Sequence, residues 1–183
     1  MKTHSIRVPQ RGFTMLEVLI SIVVIAFGML GIAGLQAYAL KNSQGASLRS
    51  VATVLASDMI DRMKGNPSGA SFDMYVDSSG KEVTEAANSS CTSSAGCPDP
   101  AILAKNDLFE WHALVASSLP KGIGMVCRDS TPTDTPRATP SDPKCDNTGS
   151  FVIKIWWLDD RSRANAPNKG ESALNLFTTQ FNI

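Results

Sequence analysis

Residues that usually carry chemistry are scarce in this sequence. Beyond residue 12 there is one histidine, His112, with no acid or nucleophile placed beside it by a recognisable motif. No phosphate-binding glycine loop, nucleophile–base signature or internal repeat occurs. A solitary histidine on a helix is more often a surface or satisfied core residue than a catalyst, so the expectation is no enzyme and no cofactor. Net basic charge is also missing. The 17 Lys and Arg residues are matched by 17 Asp and Glu, which leaves no electrostatic footprint for nucleic acid. Only four cysteines are present, and their C-x5-C and C-x17-C spacings lack the tight ligand pairs of a structural zinc site. Asp159, Asp160 and Glu171 crowd one polar stretch but do not reproduce a calcium-loop spacing, so no metal is expected there either.

Two further absences shape the chain. Residues 1–12 contain Lys2, Arg7 and Arg11 and no acid, and proline does not appear between Pro9 and Pro67. Between these landmarks, Val18 to Leu35 is free of charge, with Ser21 as its one hydroxyl residue and Gly28, Gly31 and Gly34 as its glycines. That length reaches the lower limit for a membrane-spanning helix. A helix from Phe13 whose apolar part lasts to Leu40 would rise about 42 Å, more than the roughly 30 Å of a hydrocarbon core. Positive charge on the N-terminal flank puts that flank in the cytoplasm and sends the rest outward. An ordinary secretory signal would need a small-residue site after the apolar run, and Ala37-Tyr38-Ala39 offers only a weak one.

At the head of the apolar run stands Glu17. An unpaired acid in lipid costs at least about 2.5–3.5 kcal/mol, so such a residue is read as functional and paired. A plainer reading competes with it: Thr14-x-x-Glu17 has capping-box spacing, and a first-turn carboxylate meets the positive end of the helix dipole. The residues alone leave both open.

The combination Arg11-Gly12-Phe13-Thr14-Met15-Leu16-Glu17 followed by a long apolar helix resembles the class III leader of type IV pilins and type II secretion pseudopilins. The resemblance implies that a prepilin peptidase cuts after Gly12 and methylates the new N-terminal Phe13. It further implies that Glu17 pairs with the N-terminal amine of a neighbouring subunit, which would offset the cost of burying the acid. Removal of residues 1–12 would leave 14 basic against 17 acidic side chains, a balance of −3. Major pilins usually carry a proline in the apolar stretch; here there is none. Gly28, Gly31 and Gly34 stand where they could loosen the helix or pack closely against other helices.

Beyond Gln36 the pattern stays helical to Lys64, where Gly65-Asn66-Pro67 gives a stop signal. Leu48, Ala52, Leu55, Met59 and Met63, widened by Val51 and Ile60, form an apolar stripe, with Arg49, Asp58, Asp61 and Lys64 mostly off it. One helix over 13–64 is therefore expected, membrane-embedded over 13–40 and amphipathic thereafter. Residues 65–183 would form a disulfide-stapled α+β head outside the cytoplasm. Within the head, 65–100 reads as linker, with Phe72, Met74, Tyr75 and Val76 tacking it down. Asp99-Pro100 starts a helix to about Leu119 with Ala104, Leu108, Trp111, Val115 and Leu119 on its core side. Gly122 to Arg128 holds a short strand, and Phe151 to Leu158 is apolar on both parities and reads as a central strand. Leu176 to Ile183 alternates as the last strand. The Pro-, Thr- and Ser-rich segment 129–149 has too few apolar residues to order itself, so covalent closure is expected to do it. Of the three possible cysteine pairings, the loop-local one, Cys91–Cys97 and Cys127–Cys145, is expected.

The head also resembles PilV-type minor pilins. The matching features are Cys91 and Cys97 before Pro98-Asp99-Pro100, the segment Asp107 to Trp111, and Trp156-Trp157 ahead of Asp159-Asp160-Arg161. The I-type minor pseudopilin of type II secretion is the nearest competing resemblance, and a membrane-anchored periplasmic binding module a more distant one. The minor-pilin resemblance implies, as partners, the prepilin peptidase, other minor pilins, the major pilin and the inner-membrane assembly machinery. Lipid would surround the apolar helix before assembly. The implied place is the inner membrane with a periplasmic head, then the pilus.

Overall fold

The computed structural model describes residues 12–76, 91, 96–97, 99–133, 137–159, 170 and 173–183. The architecture is α+β and pilin-like: a long N-terminal helix, then a small domain with a shorter helix and a three-stranded antiparallel sheet. The elements are α1 (Met15–Gly65), α2 (Pro67–Ser71), α3 (Pro100–Ser118), β1 (Ile123–Asp129), β2 (Ser150–Trp157) and β3 (Asn175–Phe181). The chain divides into two compact units, one ending at Ser43 and one from Gln44 onward, and α1 contributes to both.

In the second unit the expected stripe of α1 is the helix's contribution to the core. Ala52, Leu55, Ala56, Met59 and Met63 are buried, and Leu48, Val51 and Ile60 pack at the margin. Position 56 completes the stripe because i+4 from Ala52 lies on the same helical face. Facing residues come from α3, where Ala104, Leu108, Trp111 and Val115 are buried, and from the sheet. Asp99 caps α3, its carboxylate accepting the Ile102 N–H at 2.8 Å with Pro100 in the first helical position.

The sequence pattern at Gly65-Asn66-Pro67 stops one helix and immediately starts another. Asn66 caps α2 by accepting the Gly69 N–H at 3.1 Å, while its amide donates to the Pro100 carbonyl at 2.8 Å. The same Asx-Pro logic that places the start of α3 therefore places α2 inside a stretch that reads as linker. Tyr75 and Val76 are buried as expected, whereas Phe72 is 74% exposed.

Sheet order is β1-β2-β3 with both pairs antiparallel, so β2 is the central strand. Its two parities are buried for different reasons. Phe151, Ile153, Ile155 and Trp157 face the common core with Val126 of β1. Val152, Lys154 and Trp156 face the opposite way and are covered by the segment that begins after β1 and leads into β2. This corrects the expectation that covalent closure alone orders 129–149. Cys127 and Cys145 are bonded, but the Trp156 indole N–H also donates to the Ala138 carbonyl at 3.1 Å. The Lys154 ammonium donates to the carbonyls of Pro143 at 2.6 Å and Lys144 at 3.3 Å, and to the Asp129 carboxylate at 2.5 Å. Few apolar side chains are needed when buried donors on the strand reach the loop's own carbonyls. Arg128 adds a tie on the other side of β1, bonding Asp73 and the Gly149 carbonyl while its guanidinium lies 3.8 Å over the Phe151 ring.

Candidate functional site

The residues implicated by sequence fall into two sets, one at the start of α1 and one in the second unit. At the N-terminal set, Gly12, Phe13 and Thr14 precede the helix. The Thr14 hydroxyl accepts the Glu17 backbone N–H at 3.3 Å and its carbonyl the same N–H at 3.1 Å. Thr14 therefore supplies its half of the capping arrangement. Glu17 is exposed, and among the described residues no hydrogen bond or ion pair reaches its carboxylate. One turn on, the Ser21 hydroxyl donates to the Glu17 carbonyl at 2.7 Å, so this polar side chain is satisfied without a partner from outside the helix. Phe13 is 84% exposed, and no atom lies within 4 Å of the position a Cβ on Gly12 would take.

From Val18 onward the apolar side chains of α1 remain exposed up to Leu40. A Cβ added at Gly28, Gly31 or Gly34 would likewise meet nothing within 4 Å beyond the helix's own backbone. The helix is long and apolar enough to cross a membrane. An exposed apolar run of this length is far larger than the patches soluble monomers carry, and it needs lipid or other helices around it. Residues 7–33 match the family model for the prokaryotic N-terminal methylation motif. The match supports a class III prepilin leader. In that respect the chain is type IV pilin-like, and the motif supports a type IV pilin or pseudopilin, a structural subunit rather than an enzyme. The same leader implies processing by a prepilin peptidase, membrane anchoring and assembly with pilin-type partners. No curated protein and no solved structure matches the chain.

The second set comprises the cysteines. Cys127 and Cys145 are joined with Cα atoms 6.2 Å apart, and Cys91 and Cys97 with Cα atoms 4.1 Å apart. In the chain-entropy account, closing a loop of roughly 15 residues contributes about 3 kcal/mol by restricting the unfolded chain. His112 is committed structurally, its Nε2 lying 3.2 Å from the Gly124 carbonyl across the α3–β1 junction. Among the described residues no cluster of potential metal ligands exists; Asp160 and Glu171 lie outside them.

Sequence reading did not find two polar clusters that hold this unit together. In one, Arg62 of α1 bonds Asp58 at 3.0 Å, Glu110 at 2.9 Å and Asp107 at 3.4 Å, while the Tyr75 hydroxyl donates to Asp107 at 2.7 Å. Burial pushes the Asp107 carboxyl up from its ordinary range, against the pull of Tyr75 and Arg62. Burial and the neighbouring Asp107 raise the Tyr75 hydroxyl as well. Glu110, held mainly by Arg62, is lowered. The other cluster is the buried Lys154–Asp129 pair. Its signal was a lone lysine in an otherwise apolar strand, which requires an acid but does not say which. These groups fix α1 to α3 and the covering segment to the sheet.

Proposed function

We propose that this chain is a minor pilin of a type IV pilus, of the PilV type, that helps initiate pilus assembly and takes its place in a tip complex. The observation that carries the reading is Glu17: a carboxylate with no partner among the described residues, at the head of an exposed apolar helix and inside a methylation motif. A helix that merely anchors a domain would use that acid only as a cap, and among the described residues the Glu17 carboxylate makes no capping hydrogen bond. A filament has another use for it, because a neighbour's cationic N-terminus must be neutralised across an apolar interface. Residues 1–12 are the leader removed before Phe13, 13–64 the helix that leaves the inner membrane for the filament core, and 65–183 the periplasmic head. Partners are the other minor pilins, the major pilin and the inner-membrane assembly machinery, with lipid around the helix before assembly.

Glycine at position 12 offers a peptidase no side-chain obstruction, and a Cβ added there meets nothing within 4 Å among the described residues. Gly12→Leu is expected to leave most of the protein as full-length precursor in the inner membrane, read by intact mass. Maturation at the normal rate would remove the proposed cleavage point.

Glu17→Gln tests the assembly role. An amide still serves a capping box, so cleavage and membrane retention should persist. Removing one member of a buried charge pair typically costs about 3–5 kcal/mol, so incorporation should fall steeply. The readout is the ratio of subunit in sheared pili to subunit in the inner membrane, beside wild type. An unchanged ratio would reduce Glu17 to a cap and favour a simple anchored module. Wild-type protein absent from sheared pili but present in secretion pseudopili would favour the pseudopilin.

A further inference from the structure

β3 is an outer strand: among the described residues it pairs with β2 and with no other strand. Outer strands are normally blunted by charge or proline, because their unpaired N–H and carbonyl groups template another strand. Asn175-Leu176-Phe177-Thr178-Thr179-Gln180-Phe181 has neither, and it is rich in residues that favour extended backbone. The opposite outer strand, β1, carries Arg128 and Asp129, a disulfide through Cys127, and α3 against it at Gly124. Among the described residues, one edge is guarded and the other is not.

A cleft of about 560 Å³ opens at the start of the unguarded edge and is lined from both faces of the sheet. Gly45, Ala46 and Arg49 of α1 line it from the core side, and Pro132, Thr133 and Arg137 from the covering segment on the far side. Asn175, Leu176 and Thr178 form its floor along β3. One arginine thus stands on each side of the strand edge. Neither guanidinium has a hydrogen bond or ion pair among the described residues, whereas the one acid in the lining, Asp159, accepts the Trp157 indole N–H at 2.6 Å. α1 passes close to that acid at Gly45, where an added Cβ would fall 3.6 Å from its Oδ2, an ordinary contact.

We propose that the outer edge of β3 accepts an extended acidic segment of a second protein as a fourth strand, with Arg49 and Arg137 pairing its carboxylates. Strand addition takes affinity from main-chain hydrogen bonds and selectivity from pockets for alternate side chains, and the cleft supplies such a pocket with two cations unpaired among the described residues. Such strand addition requires only the sheet edge and the cleft, whether or not the chain enters a filament.

The test uses the full chain in detergent micelles and two blocked hexapeptides, acetyl-(Glu-Val)3-amide and acetyl-(Lys-Val)3-amide, with amide hydrogen exchange as the readout. The acidic peptide should slow exchange in Asn175–Phe181, and the effect should weaken as salt is raised. Arg49→Glu combined with Arg137→Glu, both at exposed positions, should weaken binding by about tenfold or more while leaving the fold intact by circular dichroism. The lysine peptide should give no protection. The proposal is overturned if the acidic peptide protects no β3 amides at millimolar concentration. It is equally overturned if the two peptides bind alike, or if the double variant binds as wild type does.

Discussion

Trp111→Ala should destabilise the second unit by about 3–5 kcal/mol, the usual cost of emptying a buried aromatic site. Against a total of roughly 5–15 kcal/mol for a domain, that leaves little margin. The indole is fully buried and its N–H donates to the Leu55 carbonyl of α1 at 2.8 Å, so one side chain joins α3 to the long helix. Its six-membered ring also lies on β1, where a Cβ added to Gly124 would come within 2.4 Å of Cη2 and Cζ3. Gly124 is therefore glycine because the ring occupies the space a side chain would need. Gly124→Val should cost about 1–3 kcal/mol or more by overpacking the same contact from the other side. Trp111→Phe keeps most of the apolar area but orphans the Leu55 carbonyl from this donor, for a loss nearer 1 kcal/mol. Thermal unfolding of the full chain in micelles, followed by near-ultraviolet circular dichroism, ranks the three. If Trp111→Ala melts with wild type, the Trp111–Gly124–Leu55 contact is not what joins these elements.

Asp129→Ala should cost a similar amount for a different reason. Lys154 and Asp129 are 1% and 0% exposed as side chains, and deleting the acid strands a buried ammonium. Removing one member of such a pair typically costs about 3–5 kcal/mol, whereas exchanging both for apolar residues is often neutral. Asp129→Leu with Lys154→Met is accordingly expected to regain most of the stability. It should not restore the covering segment, because the carbonyls of Pro143 and Lys144 lose the Lys154 donor. Limited proteolysis should then cut within 137–149 faster in the double variant than in wild type, although the Cys127–Cys145 bond remains. A double variant that melts as low as Asp129→Ala would mean the charge pair is not the source of the loss.

What the sequence alone makes legible is what local periodicity and local chemistry encode. The long helix, expected over 13–64, is found over Met15–Gly65, because apolar spacing and the absence of proline are properties of the segment itself. The same holds for α3, whose Asp99-Pro100 start and buried face match the pattern, and for β2, whose double-parity apolarity announced a strand covered on both faces. The leader motif is equally local: its meaning lies in seven consecutive residues and the run behind them. α2 was legible in principle, since Asn66-Pro67 repeats the signal that gave α3, but a five-residue helix carries too little periodicity to stand out.

Tertiary structure alone decided which partners the buried polar groups take. Lys154 required an acid, yet nothing in the sequence selects Asp129, 25 residues away, over its other acids. Arg62 meets Asp107 and Glu110 across 45 and 48 residues, and Trp111 meets the Leu55 carbonyl across 56. Those pairings follow from the crossing of helices and the register of strands, which depend on the whole packed arrangement rather than on any one segment. The same is true of the covering segment. Its composition predicts a loop that needs a staple, and only the strand beneath it shows that donors on Lys154 and Trp156 hold it from below. Local sequence fixes conformation where the relevant interactions are a few residues apart. Long-range polar pairing is fixed by burial, which forces each enclosed donor and charge to find whichever partner the fold brings within reach.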